Sequence, residues 1–226
     1  MSKTRSSNLI FISAVGLGAA AFTTYWKWVR PWHLHWGAAQ DEAQRSYPGD
    51  EFLPEAKMVA THAITIEAPP QKVWPWLAQI GQGRGGFYSY DWIENLMGLD
   101  IHTADQILPE HQNIKVGDIV PFSPDGFGIP VALLEPEKHF VLRGDTRLDP
   151  DAIPGIAAGD YFAATWAFYL EANAGNQTRL IERWKADWSE SLKNTIFMRL
   201  FLEPGSFLME RKMLLGIKQR AETSPG

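Results

Sequence analysis

The chain has 226 residues, 45% of them hydrophobic, which is enough for one domain with a real core plus an extension. Its net charge of −5 gives no general attraction for polyanions, so no nucleic-acid partner is expected. With no cysteine, disulfides, thiolate catalysis and cysteine zinc sites are excluded.

In chain order, Lys3 and Arg5 precede an uncharged run from residue 9 to residue 26. That length is at the lower edge of what crosses a bilayer as a helix. The segment "YWKWVRPWHLHW" follows, with Trp26, Trp28, Trp32 and Trp36 beside Lys27 and Arg30. Aromatic and basic residues at a helix end suit a membrane–water interface. The expectation is an N-terminal transmembrane helix over residues 1–30: a single-pass anchor, a membrane location and lipid as a partner. A cleaved signal peptide and a buried helix are the alternatives. Basic residues flank the run evenly, so the side of the membrane is not readable.

Residues 31–58 read as a polar linker lying on the domain, with Pro48-Gly49 as a turn and Pro54 against regular structure. The domain itself is expected over 59–223. "ATHAITIEA" alternates, with His62, Ile64 and Ile66 on one face, which predicts a strand with one buried side. Helical spacing of Val73, Trp76, Leu77 and Ile80 follows, stopped by Gly81. "SYDWIENLMG" is a second short helix stopped by Gly98. "IKVGDIVPF" reads as a strand, and "GIPVALLEPEKHFVLRGD" as two strands joined at "EPEK". After a loop over 144–162, "YFAATWAFYLEA" and "QTRLIERWKADW" form a hairpin around "NAGN". From Ser189 the pattern is helical, in two pieces separated by Pro204-Gly205. The order implies an α+β domain, an antiparallel sheet with helices on one face.

On the last helix, Phe207, Met213, Leu214, Ile217 and Ala221 share one arc, and Glu210 falls in its middle. If that face packs on the sheet, Glu210 points into the domain and must be paired or protonated, because an unpaired buried charge is too costly.

The stretch "GQGRGGFYSYDWIENLMGLDIH", residues 81 to 102, admits three chemistries. Phosphate binding fits poorly: the glycines match no phosphate-loop spacing and follow a helix rather than a strand. They are better read as a tight turn between two helices. A metal site has donors (Asp91, Glu94, Asp100, His102, Asp105, Glu110, His111) but no metal-ligand spacing, so no metal is expected and a solvated acidic face explains the run. An organic pocket fits the mixture of rings, amides and carboxylates. Against it stands the plain reading that Trp92, Leu96 and Met97 are core and that Asp91 and Asn95 brace loops. His102, Glu210 or Asp91 could serve as an acid–base pair, although spacing alone does not bring them together.

These blocks carry a resemblance. "ITIEAPPQKVWPWLAQIGQGRGGFYSYDWIENLMGLDIHTADQI", with "VGD", "TWAF", "TRLIERW" and "MERKMLLGIKQRAE", resembles a bacterial branch of the SRPBCC superfamily, the START-like or polyketide cyclase/dehydrase-like helix-grip proteins. The likeness runs over roughly residues 30 to 222. It implies a sheet of about seven antiparallel strands gripping a long C-terminal helix around a deep cavity for hydrophobic or amphipathic small molecules. The implied ligand-binding set is Trp76, Arg84, Tyr88, Tyr90, Asp91, Asn95, His102, Trp166 and Glu210, with no cofactor. Three functions follow as expectations. The first is a membrane-tethered domain binding a hydrophobic small molecule. The second is a cyclase- or dehydratase-like enzyme. The third is a structural subunit with a partner in a membrane complex.

Overall fold

The computed structural model describes residues 22–223. Helix α1 (Arg30–Leu34) continues a π turn at Tyr25–Val29, and α2 (Gln40–Gln44) is one short turn. Strand β1 (Met58–Ile66) leads into α3 (Pro70–Ala78) and α4 (Asp91–Leu96). Then come β2 (Ile119–Pro121), β3 (Gly128–Glu135), β4 (His139–Asp145), β5 (Phe162–Asn173) and β6 (Gln177–Trp188). Helix α5 (Leu192–Phe197), a π turn at Met198–Leu202 and α6 (Glu203–Thr223) complete the chain.

The strands form one antiparallel sheet in the order β1-β6-β5-β4-β3-β2. This α+β arrangement, a sheet with a long helix across it, fits a helix-grip. The sheet has six strands among the described residues, where the resemblance implied about seven. The expected strand over 114–122 is shortened to Ile119–Pro121: a turn at Lys115–Asp118, closed by the Asp118 side chain on the Lys115 N–H, precedes it.

The main core lies between the sheet and α3 and α6, around Ile66, Leu77, Phe140, Phe168, Leu180 and Leu214. Strand β1 was expected to bury one side, yet Thr61 and Ala63 on its other side are buried too. The reason is the segment before it. Tyr47 stacks on Tyr169, with ring centroids 4.4 Å apart, and packs with Ala63, Val141, Ala167 and Ile181 on the outer face. Arg179 of β6 grips the Glu42 carboxylate with two N–H groups at 2.7 Å, and the same carboxylate accepts from the Ala39 backbone N–H at 2.7 Å. Such a fork is geometrically specific.

The expected membrane span falls mostly on residues 1–21, outside the described residues. No helix among the described residues is long and apolar enough to cross a membrane.

The expected break at Pro204-Gly205 is absent: the chain stays helical from Leu192 to Thr223. The wide π turn just before Pro204 relieves the crowding between the proline ring and the preceding turn, and Pro204 sits at the start of a new α segment where its missing N–H costs little. Ser206 donates its hydroxyl hydrogen to the Leu202 carbonyl at 2.5 Å. The predicted apolar arc of α6 is buried at Met213, Leu214, Ile217 and Ala221. Gly216 is buried with them because its face meets the backbone of Tyr88: a Cβ there would lie 2.5 Å from the Tyr88 carbonyl oxygen. Gly216→Ala should therefore destabilise the fold by about 1–3 kcal/mol despite alanine's better helix propensity. Urea denaturation of the two proteins reads this directly; an equally or more stable alanine variant would show that the close approach is not required.

Candidate functional site

Strand alternation turns His62 of β1 inward, and the register sets it directly opposite Glu182 of β6. Glu210 arrives from the buried face of α6. His62 Nδ1 lies 2.8 Å from Glu182 Oε2 and 3.3 Å from Glu210 Oε2. His62 Nε2 lies 2.8 Å from the His33 carbonyl oxygen. A carbonyl only accepts, so Nε2 carries a proton. A second proton therefore sits in the 2.8 Å contact between Nδ1 and Glu182. All three residues are buried. Burial opposes the His62 charge, but the Glu182 hydrogen bond and the two carboxylates beside the ring outweigh it and raise the pKa. Burial and the Glu210 charge push Glu182 up, while His62 and the Trp166 indole pull it back. Trp166 Nε1 donates to Glu182 Oε1 at 2.8 Å. One imidazole thus stands among two buried carboxylates.

The cluster backs onto a cavity of about 660 Å³, within the usual range for small-molecule sites. The sheet contributes Leu142, Ala164, Trp166 and Trp184 to its wall. Helix α4 contributes Ile93, Glu94 and Met97, and the C-terminal helices contribute Phe197, Phe201, Met209, Glu210 and Met213. Phe87, Phe122 and Phe127 close another side, Phe122 packing on Phe87 and on Trp166 with centroids 5.1 and 5.7 Å apart.

Of the nine residues expected to bind ligand, the structure puts Trp166 and Glu210 on this wall. The others lie elsewhere, for clear reasons. Trp76 is core, edge-on to Tyr88, whose hydroxyl donates to the Trp76 carbonyl at 3.0 Å. Arg84 reaches inward to the carbonyls of Ala78 and His111 at 2.8 and 3.2 Å, which fastens the glycine turn. Tyr90 precedes α4 with the Lys212 ammonium over its ring. Asp91 accepts from the Thr103 N–H at 2.9 Å and the Thr103 hydroxyl at 2.6 Å. Asn95 brackets the backbone of Ile101, donating at 2.9 Å and accepting at 2.5 Å. His102 is exposed beside Asp100. Asp91 and Asn95 thus hold a loop on one face of α4, and the opposite face presents Ile93, Glu94 and Met97 to the cavity. Asp91, Glu94 and Asn95 stand at i, i+3, i+4 spacing, yet the helix divides them between a loop and a cavity. The glycine turn is as tight as expected, with Gly81 and Gly86 paired and both at positive φ.

The acidic run from 91 to 111 does not converge. Among the described residues, the group whose donor atoms come close enough to hold a metal ion is His62, Glu182 and Glu210, all within 4.8 Å of one another. Histidine and carboxylates are ordinary ligands for zinc and similar cations. Here the 2.8 Å contact already holds a proton, which a cation would have to displace. Sequence reading had His62 facing inward but could not find its partners, because the pairing depends on the β1–β6 register. Glu94 was missed for the same kind of reason.

No protein-family model matches the chain, and comparison with curated proteins finds no match. Among solved structures, a hypothetical protein from Helicobacter pylori is 13% identical with a TM-score of 0.47, covering 78% of this chain and 95% of that one. An Aha1 dimer from Colwellia psychrerythraea is 19% identical with a TM-score of 0.39, over 75% and 99%. Truncated norcoclaurine synthase from Thalictrum flavum is 13% identical with a TM-score of 0.40, over 74% and 95%. At such scores the site's own geometry carries the argument.

Two outcomes follow. His62→Ala should cost about 3–5 kcal/mol, because it leaves two buried carboxylates without their shared cation. Burial, and after it the Asp91 charge, push the Glu94 carboxyl from 4.5 up to about 7. Its folded pKa exceeds its unfolded value, so the folded state holds the proton more strongly. Stability therefore falls as pH rises from about 4.5 to about 7 and stays reduced above that. Glu94→Gln removes this loss: at pH 8 it should be about 1–2 kcal/mol more stable than the parent, a figure discounted for water in the open cavity, and no different at pH 4. Thermal melts of both proteins across that range check the sign.

Proposed function

We propose that this chain is a small-molecule-binding domain whose cavity takes a hydrophobic or amphipathic compound at a lipid surface. The observation that carries this is the cavity itself: about 660 Å³, lined almost wholly by apolar side chains, with two carboxylates, Glu94 and Glu210, on its wall. A wall of that kind gains from excluding water around an apolar guest, roughly 25 cal/mol for each Å² removed from water.

The rim supports the lipid surface. Met97, Phe197, Phe201 and Leu208 line the cavity and are also exposed, and Trp92, Leu96, Ile196 and Leu200 on the same helices are exposed beside them. Large apolar side chains exposed together on a folded domain mark interaction surfaces. The tryptophan-rich segment is fixed to the same end of the molecule. Arg30 and Arg199 both donate to the buried Glu203 carboxylate, at 3.0 and 2.9 Å. Trp32 meets Phe207 edge-on with centroids 5.4 Å apart. Trp28 and Trp32 are exposed there, as aromatic residues at a membrane interface are. An anchor over residues 1–30 would hold this rim near the bilayer.

The binding half of the reading is tested with N-phenyl-1-naphthylamine, a neutral probe that fluoresces in apolar sites. Saturable one-to-one binding that is lost when Ala164→Trp fills the cavity is the expected result; no saturable binding would sink it. For the surface half, Phe197→Glu with Phe201→Glu should reduce the fraction floating with phosphatidylcholine vesicles about tenfold. Unchanged flotation would remove the rim from the account and leave the cavity standing.

A further inference from the structure

The cavity's chemistry is lopsided. Among the described residues its wall contains two carboxylates, Glu94 and Glu210, and no lysine, arginine or histidine. The Ser89 and Ser206 hydroxyls on the wall already donate to the Met209 and Leu202 carbonyls. The Trp166 N–H is committed to Glu182. Against the carboxylates stands at most the neutral indole N–H of Trp184.

Both residues are more than nine-tenths buried, and each has a carboxylate oxygen without a hydrogen bond, Glu94 Oε2 and Glu210 Oε2. Glu210 does face His62 at 3.3 Å, but the Nδ1 proton is directed to Glu182 at 2.8 Å. One imidazole thus serves two carboxylates, and the one that its Nδ1 proton does not reach is the one on the cavity wall. A buried acceptor with no donor is costly, and a buried charge more so. No side chain on this wall supplies the missing donors; a guest can.

We propose that the cavity selects apolar molecules bearing a cationic amine, with Glu210 as counter-ion and Glu94 as a second acceptor, and excludes fatty-acid anions and other anionic amphiphiles. This rests on the cavity being a binding site. An ammonium group brings up to three donors and a positive charge to a wall that is poor in donors and lined by no cationic side chain. A carboxylate head would bring negative charge and further acceptors into a low-dielectric space beside carboxylates that already lack donors.

The test uses three compounds of one chain length, dodecylamine, dodecanol and dodecanoate, each below its micelle concentration. They compete with N-phenyl-1-naphthylamine for the full chain, Glu210→Gln and Glu94→Gln. The expected result is displacement by the amine at least tenfold tighter than by dodecanoate, with the alcohol between them. In Glu210→Gln the amine should fall to the level of the alcohol, while the alcohol is unchanged; Glu94→Gln should give a smaller loss in the same direction. Equal displacement by amine and dodecanoate in the parent protein would overturn the selectivity and needs no variant to fold. An amine preference that survives Glu210→Gln would overturn the assigned counter-ion. If none of the three displaces the probe, the binding-site reading itself fails, an outcome distinct from the other two.

Discussion

A protonated imidazole buried between two carboxylates organises this molecule. His62 comes from the edge strand, Glu182 from its neighbour and Glu210 from the long helix, so one cluster ties sheet to helix. A third contact of the imidazole, to the His33 carbonyl, brings in the N-terminal segment. Removing any partner would leave charge stranded away from water, and the loss is larger than an apolar replacement of the whole cluster would cause. The cluster is therefore a device of specificity: it fixes which residue of α6 faces which residue of the sheet.

The same cluster shapes the site. It lies where sheet and helix diverge, and the space beyond it is the cavity. Apolar residues from β4, β5 and β6, from α4 and from the C-terminal helices line that space and continue outward into an exposed apolar rim. A second buried carboxylate, Glu203, gathers Arg30 and Arg199 and holds the tryptophan-rich segment at that end. Two buried acids on one helix thus position the rim and the interior.

Much of the fold was legible in the chain. Alternation over 60–68 turned His62 inward, the "NAGN" turn marked the β5–β6 hairpin, and the helical arc of α6 put Glu210 in the interior before any contact was known. What could not be read were the long-range pairings. Alternation says that His62 faces in, but only the register says that it faces Glu182. Pro204 read as a break because a local rule cannot see the π turn that accommodates it. The acidic stretch after the glycines drew attention by composition, yet Asp91 and Asn95 spend their hydrogen bonds on a loop, and the residue that reaches the cavity is Glu94. Local spacing groups residues on a helix; which side of that helix meets the core is decided by segments far away in sequence.

The central claim, that this cavity is a site for an apolar small molecule, is tested most directly by native mass spectrometry of the full-length protein as purified from cells. The account predicts a discrete adduct, released on denaturation and identifiable as an apolar compound without an acidic head group. A protein that arrives at its bare chain mass in every preparation, and takes up no apolar compound when offered one, would contradict it.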